Sequence, residues 1–335
     1  MTAAQLRSLR RVLLRWYDAN RRDLPWRRNR NPYSVWVSEI MLQQTRVAAV
    51  LDHYARFLRR FPTVKALAAA RESSVLAIWS GLGYYHRARR LHQAAKLIAR
   101  ERRGKFPRTA EDWSDLPGIG RYTAAAIASI SFGEAVAVLD GNVERVLQRL
   151  YGQLHTKQTS WQRADILLDR ERPGDFNQAM MELGATICTP RAPQCLRCPL
   201  NTFCKSRGAE QPRRQAARKR TAISYALARR DSSVLLVQRP ANASLMAGMW
   251  ELPALAPGVT NGDAPLLQVR HSITDTDYRV AVFTASPDQL HDFATNGQWF
   301  THRQCERLPL TGLTRKVLRR LSLASKDSAG ESICH

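Results

Sequence analysis

Residues 116–142, LPGIGRYTAAAIASISFGEAVAVLDGN, constrain the fold more than any other stretch of the sequence. A proline followed by Gly118 and Gly120 predicts a tight turn, and the small residues at 121–131 predict a helix that can approach a neighbour closely before Gly133 ends it. A helix that begins just after a glycine turn presents free backbone N–H groups and its positive dipole end. The pattern therefore predicts either an ordinary helix–turn–helix connection or a site for a phosphate group.

Asp140 stands at the far end of this stretch, where helical periodicity resumes with Val143 and Val146. Its position predicts a helix N-cap, a purely structural role. A helix N-terminus also stabilises an ionised carboxylate, which a group that stabilises a cation requires. The two interpretations are compatible, and Asn142 is close enough in sequence to orient the carboxylate.

Glu39 lies in a long helical pattern over residues 34–61, for which Ser34 is the predicted N-cap. Its neighbours at i−4 and i−3, Val35 and Trp36, place it on the apolar face of the helix. Burial of a carboxyl group favours its protonated form. Glu39 is therefore either a structural glutamate that caps a neighbouring helix or a general acid with a raised pKa.

Two polar segments of the helical half are ambiguous. Gln43, Gln44 and Thr45 interrupt the long helical pattern, either as a solvated edge or as side chains that reach into a base stack. Gly81-Leu82-Gly83-Tyr84-Tyr85 precedes a strongly basic helix at residues 87–105. This is either a solvated charged face or a set of phosphate contacts beside a wedging tyrosine.

The net charge of +24 favours a polyanionic partner, of which nucleic acid is the commonest. A basic membrane-surface protein is the alternative, but no apolar run approaches the roughly 20 residues that span a bilayer. Residues 1–22 are rich in arginine and resemble a transit peptide, yet Leu6, Leu9 and Leu13 recur at helical spacing and predict a first helix of the fold. We expect the protein to be cytoplasmic if bacterial, or nuclear or organellar if eukaryotic, and not secreted.

Four of the six cysteines fall within 17 residues, with six, two and five residues between them. Zinc sites usually show two close pairs, whereas this loop has one close pair and two single cysteines. The spacing therefore favours an iron–sulfur cluster over zinc, and both over disulfides in a reducing compartment. The candidate ligands are Cys188, Cys195, Cys198 and Cys204.

The pattern changes after a basic linker at residues 205–220. Short β-rich runs at 222–228, 234–237, 269–274, 278–284 and 298–300, followed by a helix at 311–321, predict an α+β domain. The polar tail from residue 322 is expected to be disordered.

The motifs VSEIMLQQT, GLGYYHRARRL, LPGIGRYTAAAI and LDGNVERVL and the cysteine loop, in this order, resemble adenine DNA glycosylases of the MutY type. These belong to the helix–hairpin–helix glycosylases with an iron–sulfur loop, and the resemblance covers about residues 5–325. It implies an α+β multidomain fold in which an all-α helix–hairpin–helix glycosylase domain precedes an α+β Nudix-like C-terminal domain. The implied limits are 1–204 (hairpin about 112–127, iron–sulfur loop 188–204), the linker 205–220, 221–322 and a tail at 323–335.

The resemblance also implies a function: a monomeric, monofunctional glycosylase that hydrolyses the N-glycosidic bond of adenine opposite 8-oxoguanine or guanine in duplex DNA. Glu39 would protonate the adenine and Asp140 would stabilise the oxocarbenium-like sugar. Enzymes that cleave glycosides use a pair of carboxyl groups in the same way. The remaining implied residues are catalytic neighbours (Tyr122, Asn142), the adenine pocket (Trp26, Arg27, Gln178), DNA contacts (Gln44, Thr45, Tyr84, Gly118, Gly120, Thr274) and ligands of a 4Fe–4S cluster (Cys188, Cys195, Cys198, Cys204).

Tyr122 stands where the related endonuclease III type has a lysine that forms a Schiff base and cleaves the strand. A phenol cannot do so, which argues against a glycosylase with lyase activity. A non-catalytic DNA-binding or redox-sensing iron–sulfur protein is the third candidate, and it predicts the loss of Glu39 or Asp140, both of which are present.

The C-terminal half departs from the family in two places. Residues 246–253, MAGMWELP, resemble the Nudix-like domain, but no Glu-rich helix follows at 254–264, so a binding role is expected rather than a second hydrolase. The family's Phe-Ser-His loop, which reads 8-oxoguanine, aligns with Ile273-Thr274-Asp275. Only the hydroxyl of Thr274 is kept, so the choice between 8-oxoguanine and guanine stays open.

Overall fold

The computed structural model describes residues 1–153, 156–207, 219–240, 242–243, 245–256, 264–273, 276–285, 293 and 296–327. The chain divides into two compact units, residues 1–69 with 90–213 and residues 70–89 with 214–335. The grouping of 70–89 with the C-terminal residues is not part of the predicted domain limits, which stay a prediction. Most of the predicted linker and Thr274 lie outside the described residues.

Helices alone make up the regular structure before residue 208 in the described part of the chain, as the sequence predicts. The α-helices are α1 (Ala3–Asn20), α2 (Pro32–Leu42), α3 (Val47–Arg60), α4 (Val64–Ala69), α5 (Glu72–Trp79), α6 (His86–Glu101), α7 (Ala110–Ser114), α8 (Arg121–Phe132), α9 (Gly141–Tyr151), α10 (Lys157–Leu167) and α11 (Pro173–Thr186). Short 3₁₀ turns lie at Pro25–Arg27, Cys195–Arg197 and Asn201–Phe203.

The prediction of one helix over residues 34–61 is wrong. The chain forms α2 and α3 instead, because Gln44 takes a left-handed backbone conformation (φ 55°) that a continuous helix cannot contain. The predicted N-cap at Ser34 is also wrong. The side chain of Asn31 caps α2 by accepting hydrogen bonds from the N–H groups of Tyr33 and Ser34, and Pro32 fills the first helical position.

The core of the first unit contains an aromatic cluster and a set of closely packed helices. Trp36 of α2 lies 5.6 Å from Trp113 of α7 between ring centroids, and both rings are fully buried. A methyl group on Gly174 of α11 would lie 2.6 Å from the carbonyl oxygen of Ser129 in α8. Since α8 is built of small residues, α11 packs directly against its backbone, as the sequence predicts for this helix.

Eight β-strands follow in the described part of the chain, and they match the predicted strand-rich half. They are β1 (Lys219–Leu227), β2 (Arg229–Arg230), β3 (Ser233–Gln238), β4 (Trp250–Glu251), β5 (Ala254–Leu255), β6 (Leu267–Ile273), β7 (Thr276–Thr284) and β8 (Gly297–Thr301). Two helices complete this part, α12 (His302–Cys305) and α13 (Gly312–Asp327), so the final helix is longer than the predicted 311–321.

The strands form two sheets in the second unit. One sheet has the order β5-β1-β7-β6, in which β1 and β7 are parallel and the other pairs are antiparallel. In the other sheet, β3 pairs antiparallel with β2, β4 and β8. A core that includes Leu236, Trp250, Val282 and Val317 lies among the strands and α13.

None of the helices that the structure describes combines the length and the apolar composition that a bilayer-spanning segment needs.

Candidate active site

The glycine turn before α8 has the geometry of a tight hairpin. Gly118 takes a left-handed conformation (φ 79°), and a methyl group there would lie 2.6 Å from Cβ of Arg90 in α6. Gly120 is the N-cap residue of α8 and contributes no side-chain cap, so the first turn of the helix keeps its N–H groups available. The guanidinium of Arg121 lies 3.9 Å from the ring centroid of Trp161, which holds this arginine beside the turn.

Glu39 is buried in α2 and is held by a residue of α8. Its side chain is 6% exposed, as its place on the apolar face predicts. The hydroxyl of Tyr122 donates a hydrogen bond of 2.9 Å to Oε2 of Glu39 and lies 3.2 Å from Sδ of Met181. Tyr122, the second residue of α8, therefore contacts the buried acid directly.

Burial raises the pKa of Glu39 to about 7. The hydrogen bond from Tyr122 and the charge of Arg27 act in the opposite direction, while the negative charge of Asp140 adds to the rise. The pKa of Tyr122 is itself raised well above its usual value by burial and by the charges of Glu39 and Asp140. The two carboxyl groups are thus close enough for one to influence the protonation of the other.

Asp140 is the N-cap of α9, as predicted, and both of its carboxylate oxygens accept hydrogen bonds. Oδ1 accepts from the backbone N–H groups of Asn142 (2.9 Å) and Val143 (2.7 Å), and Oδ2 accepts from Nδ2 of Asn142 (2.9 Å). Every hydrogen bond to the group is donated to it, which suits an ionised carboxylate. Asn142 orients the carboxylate through its backbone and its side chain together.

Arg145, one turn further along α9, fixes Asn142 in turn. Its Nη2 donates to Oδ1 of Asn142 (2.9 Å) and to the carbonyl of Gly184 in α11 (2.7 Å). A methyl group on Gly184 would lie 2.6 Å from Cβ of Asn142, so α11 and α9 meet at this point. The sequence gives no local signal that Arg145 joins the site, because its bond to Gly184 connects α9 to another helix.

Of the predicted adenine-pocket residues, Trp26 is buried and meets Tyr54 edge-on with 5.2 Å between ring centroids. Nη2 of Arg27 lies 2.8 Å from Oε2 of Glu182, a buried glutamate of α11. Gln178, four residues before Glu182, donates from Nε2 to the carbonyl of Gly174 at 3.3 Å.

Glu182 is a charged residue of the site that sequence reasoning missed. Its carboxylate also accepts hydrogen bonds from Nε and Nη2 of Arg22, at 2.6 and 2.8 Å. Although burial acts to raise its pKa, the hydrogen bonds from Arg22 and Arg27 lower it below the usual range. The one signal in the sequence was that Glu182 lies four residues after Gln178, and therefore on the same face of the helix as this predicted pocket residue.

The predicted DNA-contact residues at the break between α2 and α3 are exposed or partly exposed. Gln44 is exposed in its left-handed conformation, and Oγ1 of Thr45 donates to the carbonyl of Gln43 at 3.3 Å. Nε2 of Gln43 donates to Oγ1 of Thr123, the neighbour of Tyr122, at 3.0 Å. The break is thus tied to the helix that carries Tyr122.

Tyr84 belongs to the second unit and is also held in a left-handed conformation (φ 49°). The guanidinium of Arg87 lies 5.4 Å from its ring centroid. Arg87 itself is 5% exposed, and burial lowers its pKa to about 10. The sequence groups Arg87 with the basic face of α6, but the structure places it under the loop instead, because its guanidinium bonds to loop carbonyls.

The four loop cysteines are free thiols. Nη1 of Arg149 donates to Sγ of Cys188 at 3.4 Å, and Sγ of Cys204 donates to the carbonyl of Arg149 at 3.4 Å. Burial raises the pKa of Cys198 to about 11, and the charges of Cys188, Cys204 and Cys195 add to the rise. Within the described ranges no three His, Cys, Asp or Glu side chains are arranged to hold one metal ion. An all-sulfur donor set with an arginine against it nevertheless fits a thiolate-ligated centre.

The sequence resembles known DNA repair proteins. Residues 37–167 match the HhH-GPD superfamily of base excision DNA repair proteins. The chain is 40% identical to the human adenine DNA glycosylase over 318 residues, which are 75% of this chain and 58% of that protein. The Arabidopsis thaliana adenine DNA glycosylase is 39% identical over 321 residues, 80% of this chain and 50% of that protein. The chain therefore spans only about half to three fifths of the length of these relatives.

Solved structures resemble the helical part. A thermostable thymine-DNA glycosylase is 28% identical with a TM-score of 0.57, over 61% of this chain and 97% of that one. An endonuclease III trapped as a covalent intermediate with DNA shares the fold with a TM-score of 0.54, at 23% identity over 62% of this chain and 97% of that one.

Proposed function

We propose that the chain, whose residues 37–167 match the HhH-GPD superfamily of base excision DNA repair proteins, is a monofunctional DNA glycosylase that removes adenine from mispairs in duplex DNA. The observation that carries this proposal is the pair of carboxyl groups in one site. Glu39 is buried and its pKa is raised to about 7, in part by the negative charge of Asp140. Asp140 itself accepts three hydrogen bonds. Their different surroundings suit an acid and a charge stabiliser.

Glu39 is the general acid of the proposed reaction. With a pKa of about 7 it is protonated in roughly half of the molecules at neutral pH, and this proton can pass to a ring nitrogen of adenine, which we take to be N7. Protonation makes adenine a better leaving group, and the bond between C1′ and N9 breaks with its electron pair moving to the base. The hydroxyl of Tyr122 holds the carboxyl group in place throughout.

Asp140 stabilises the positive charge that develops on the sugar as the base leaves. Its carboxylate is already oriented by Asn142 and Val143, so little reorganisation is needed in the transition state. Water then adds to C1′ and loses a proton, which leaves an abasic site. A transient covalent adduct of Asp140 with C1′ is an equivalent route to the same product.

Tyr122 limits the reaction to base removal. A strand-cleaving glycosylase needs an amine that forms a Schiff base with C1′, and the phenol of Tyr122 cannot form one. Its pKa, raised well above the usual value, also keeps the hydroxyl protonated and able to donate to Glu39. The DNA strand is therefore left intact.

Adenine reaches this buried pair only if it leaves the base stack. We propose that the N–H groups of the Gly118–Gly120 turn hold the phosphate backbone, as the resemblance implies. Trp26, Arg27 and Gln178 would line the pocket, while Gln44, Thr45 and Tyr84 would contact the stack that the adenine leaves. The left-handed conformations of Gln44 and Tyr84 are costly for non-glycine residues, and such strain is concentrated at functional sites.

The opposite base is proposed to be 8-oxoguanine or guanine, as the resemblance to the MutY type implies. Residues 221–322 are proposed as a lesion-recognition domain, with Thr274 as a candidate contact. Of the two opposite bases, neither is favoured by the residues at 273–275.

Cys188, Cys195, Cys198 and Cys204 are proposed to hold a 4Fe–4S cluster. Such a cluster would tie the loop after α11 to α9, through the contacts of Arg149 with Cys188 and Cys204. Purified protein should contain iron and sulfide in equal amounts and absorb visible light. A colourless protein that binds zinc through the same four residues would contradict the cluster assignment.

A single-turnover assay tests the proposed function. Duplexes with adenine opposite 8-oxoguanine, guanine, cytosine or thymine are incubated with excess protein and analysed with and without alkali. Released adenine with strand breaks only after alkali is the expected result. Breaks without alkali would show a lyase, and no release from any duplex would show a non-catalytic DNA-binding protein.

A further inference from the structure

A cluster of buried polar groups in the second unit joins the loop that carries Tyr84 to a C-terminal turn. Ser80 and Tyr85 flank the loop and are 5% and 4% exposed. Both hydroxyls donate to one carbonyl oxygen, that of Leu310, at 2.7 Å from Ser80 and 3.1 Å from Tyr85. One backbone carbonyl therefore holds both ends of the Gly81–Tyr84 loop.

Arg315 completes the cluster from α13. Its Nε donates to Oγ of Ser80 at 2.9 Å, and its Nη2 donates to the carbonyl of Leu308 at 3.3 Å. Ser80 thus accepts from Arg315 while it donates to Leu310. The Ser80 hydroxyl also lies 3.4 Å from the hydroxyl of Tyr85, so Arg315, Tyr85 and the Leu310 carbonyl all contact this one group.

The turn around Leu310 is itself anchored to the second sheet. The N–H of Trp250 donates to the carbonyl of Pro309 and the N–H of Thr311 donates to the carbonyl of Trp250, both at 2.9 Å. Trp250 is a strand residue packed edge-on against Phe300 of β8, with 4.8 Å between ring centroids. A displacement of the Leu310 carbonyl would require the sheet edge to move.

The loop is also held by the side chains of Trp79 and Arg87. Nη2 of Arg87 donates to the carbonyls of Leu82 and Gly83, each at 3.2 Å, and Nε1 of Trp79 donates to the carbonyl of Gly83 at 3.2 Å. The loop backbone is therefore bonded at several points while the ring of Tyr84 stays partly exposed. Such an arrangement can keep a strained, left-handed residue in place.

We propose that Arg315 is a positioning residue: through Ser80 and the Leu310 carbonyl it keeps the residue 80–85 loop rigid, and so lets Tyr84 unstack the bases beside the excised adenine. Arg315 thus contributes to excision through the position of Tyr84. The ordering of the loop rests on the contacts alone, whereas its effect on DNA rests on the proposed function.

The first test is hydrogen exchange in the full-length protein without DNA. The amides of Leu82 and Arg87, which bond to the carbonyls of Trp79 and Tyr84, report on the loop. Arg315→Ala is expected to speed their exchange about tenfold. Arg319→Ala removes the same charge one turn later from an exposed position of α13 and should leave exchange unchanged. Arg315→Lys, which keeps a donor, should restore part of the protection.

The second test uses 2-aminopurine placed beside the adenine in a duplex, whose fluorescence rises when the base is unstacked. At saturating protein, Arg315→Ala should give a smaller rise and about a tenfold slower single-turnover excision than Arg319→Ala.

Unchanged exchange in Arg315→Ala would overturn the coupling, and faster exchange with a wild-type fluorescence rise would overturn the positioning role. If the wild-type protein excised adenine from no duplex, the proposed function would fail. The exchange rates and the fluorescence rise would still decide this inference.

Discussion

At the scale of single residues, the candidate site places two carboxyl groups in opposite surroundings. Glu39 is enclosed by apolar neighbours with one hydrogen bond donated by Tyr122, whereas Asp140 takes three hydrogen bonds at a helix N-terminus. The first environment favours a neutral acid, and the second supplies donors to a carboxylate. The different roles of the two acids follow from these surroundings.

Replacement of Glu39 by glutamine should change how stability depends on pH. Because the pKa of Glu39 is raised from 4.5 to about 7 in the folded state, that state binds more protons than the unfolded one between these values. Its contribution to stability therefore falls as pH rises, by up to roughly 3 kcal/mol above pH 7. Urea unfolding at pH 5 and pH 8 should show wild type losing more stability than Glu39→Gln, and equal losses would contradict the buried, raised-pKa state.

Replacement of Asp140 by asparagine separates its two roles. Asparagine is as good an N-cap as aspartate, so the free energy of unfolding should change by less than about 1 kcal/mol. Asparagine lacks the negative charge, so single-turnover excision should fall by about 100-fold or more. Asp140→Ala serves as the control that loses both cap and charge. Wild-type excision by the asparagine variant would leave Asp140 with the structural role only.

The sequence predicts the surroundings of a residue when these are determined by its neighbours in the sequence. The apolar neighbours of Glu39 predict its burial, and the resumed periodicity after Asp140 predicts its N-cap position. Met181, Glu182 and Arg145 were not predictable as site residues. Each contacts a residue far away in the sequence: Tyr122, Arg27 and Gly184, respectively. Their roles depend on how α8, α9 and α11 meet.

At the scale of elements, the hairpin before α8 and the break between α2 and α3 shape the site. The hairpin was predictable because only glycine accepts the left-handed backbone at residue 118 without strain. The break was not, because Gln44 adopts that conformation although its residue type does not favour it. The amide of Gln43 bonds to Thr123, a residue far away in the sequence, and such a contact carries no local signal.

Substitution of alanine for the two hairpin glycines should have unequal effects. Gly118→Ala forces a positive φ and places a methyl group 2.6 Å from Cβ of Arg90, so we expect a loss of about 1–3 kcal/mol in the free energy of unfolding. Gly120→Ala meets no atom within 4 Å and should cost less than about 1 kcal/mol. Urea unfolding measures both, and equal losses would show that the turn does not depend on Gly118.

At the scale of the whole molecule, the net charge of +24 and the division into two units are the leading features. The charge was evident from composition. The grouping of residues 70–89 with the C-terminal unit was not, because the bonds of Ser80 and Tyr85 to Leu310 cross 230 and 225 positions. No periodicity or motif in either segment indicates the other.

A chain this basic should bind DNA with a strong dependence on salt. If it neutralises six to ten phosphates, duplex affinity should fall about 10³- to 10⁵-fold between roughly 50 and 200 mM salt. Fluorescence anisotropy with Glu39→Gln protein measures this without consuming the substrate. A nearly flat dependence would contradict backbone contacts as the main source of affinity.

The pH dependence of the single-turnover excision rate tests the central claim most directly, because only a protonated Glu39 can act as the acid. On a duplex with adenine opposite 8-oxoguanine, the wild-type rate should be highest below pH 7 and fall about tenfold per pH unit well above it, since the pKa of Glu39 is about 7. The excision rate of Glu39→Gln should be negligible across the same range. A wild-type rate that stays constant or rises above pH 7, or substantial excision by Glu39→Gln, would contradict the assignment of Glu39 as the proton donor.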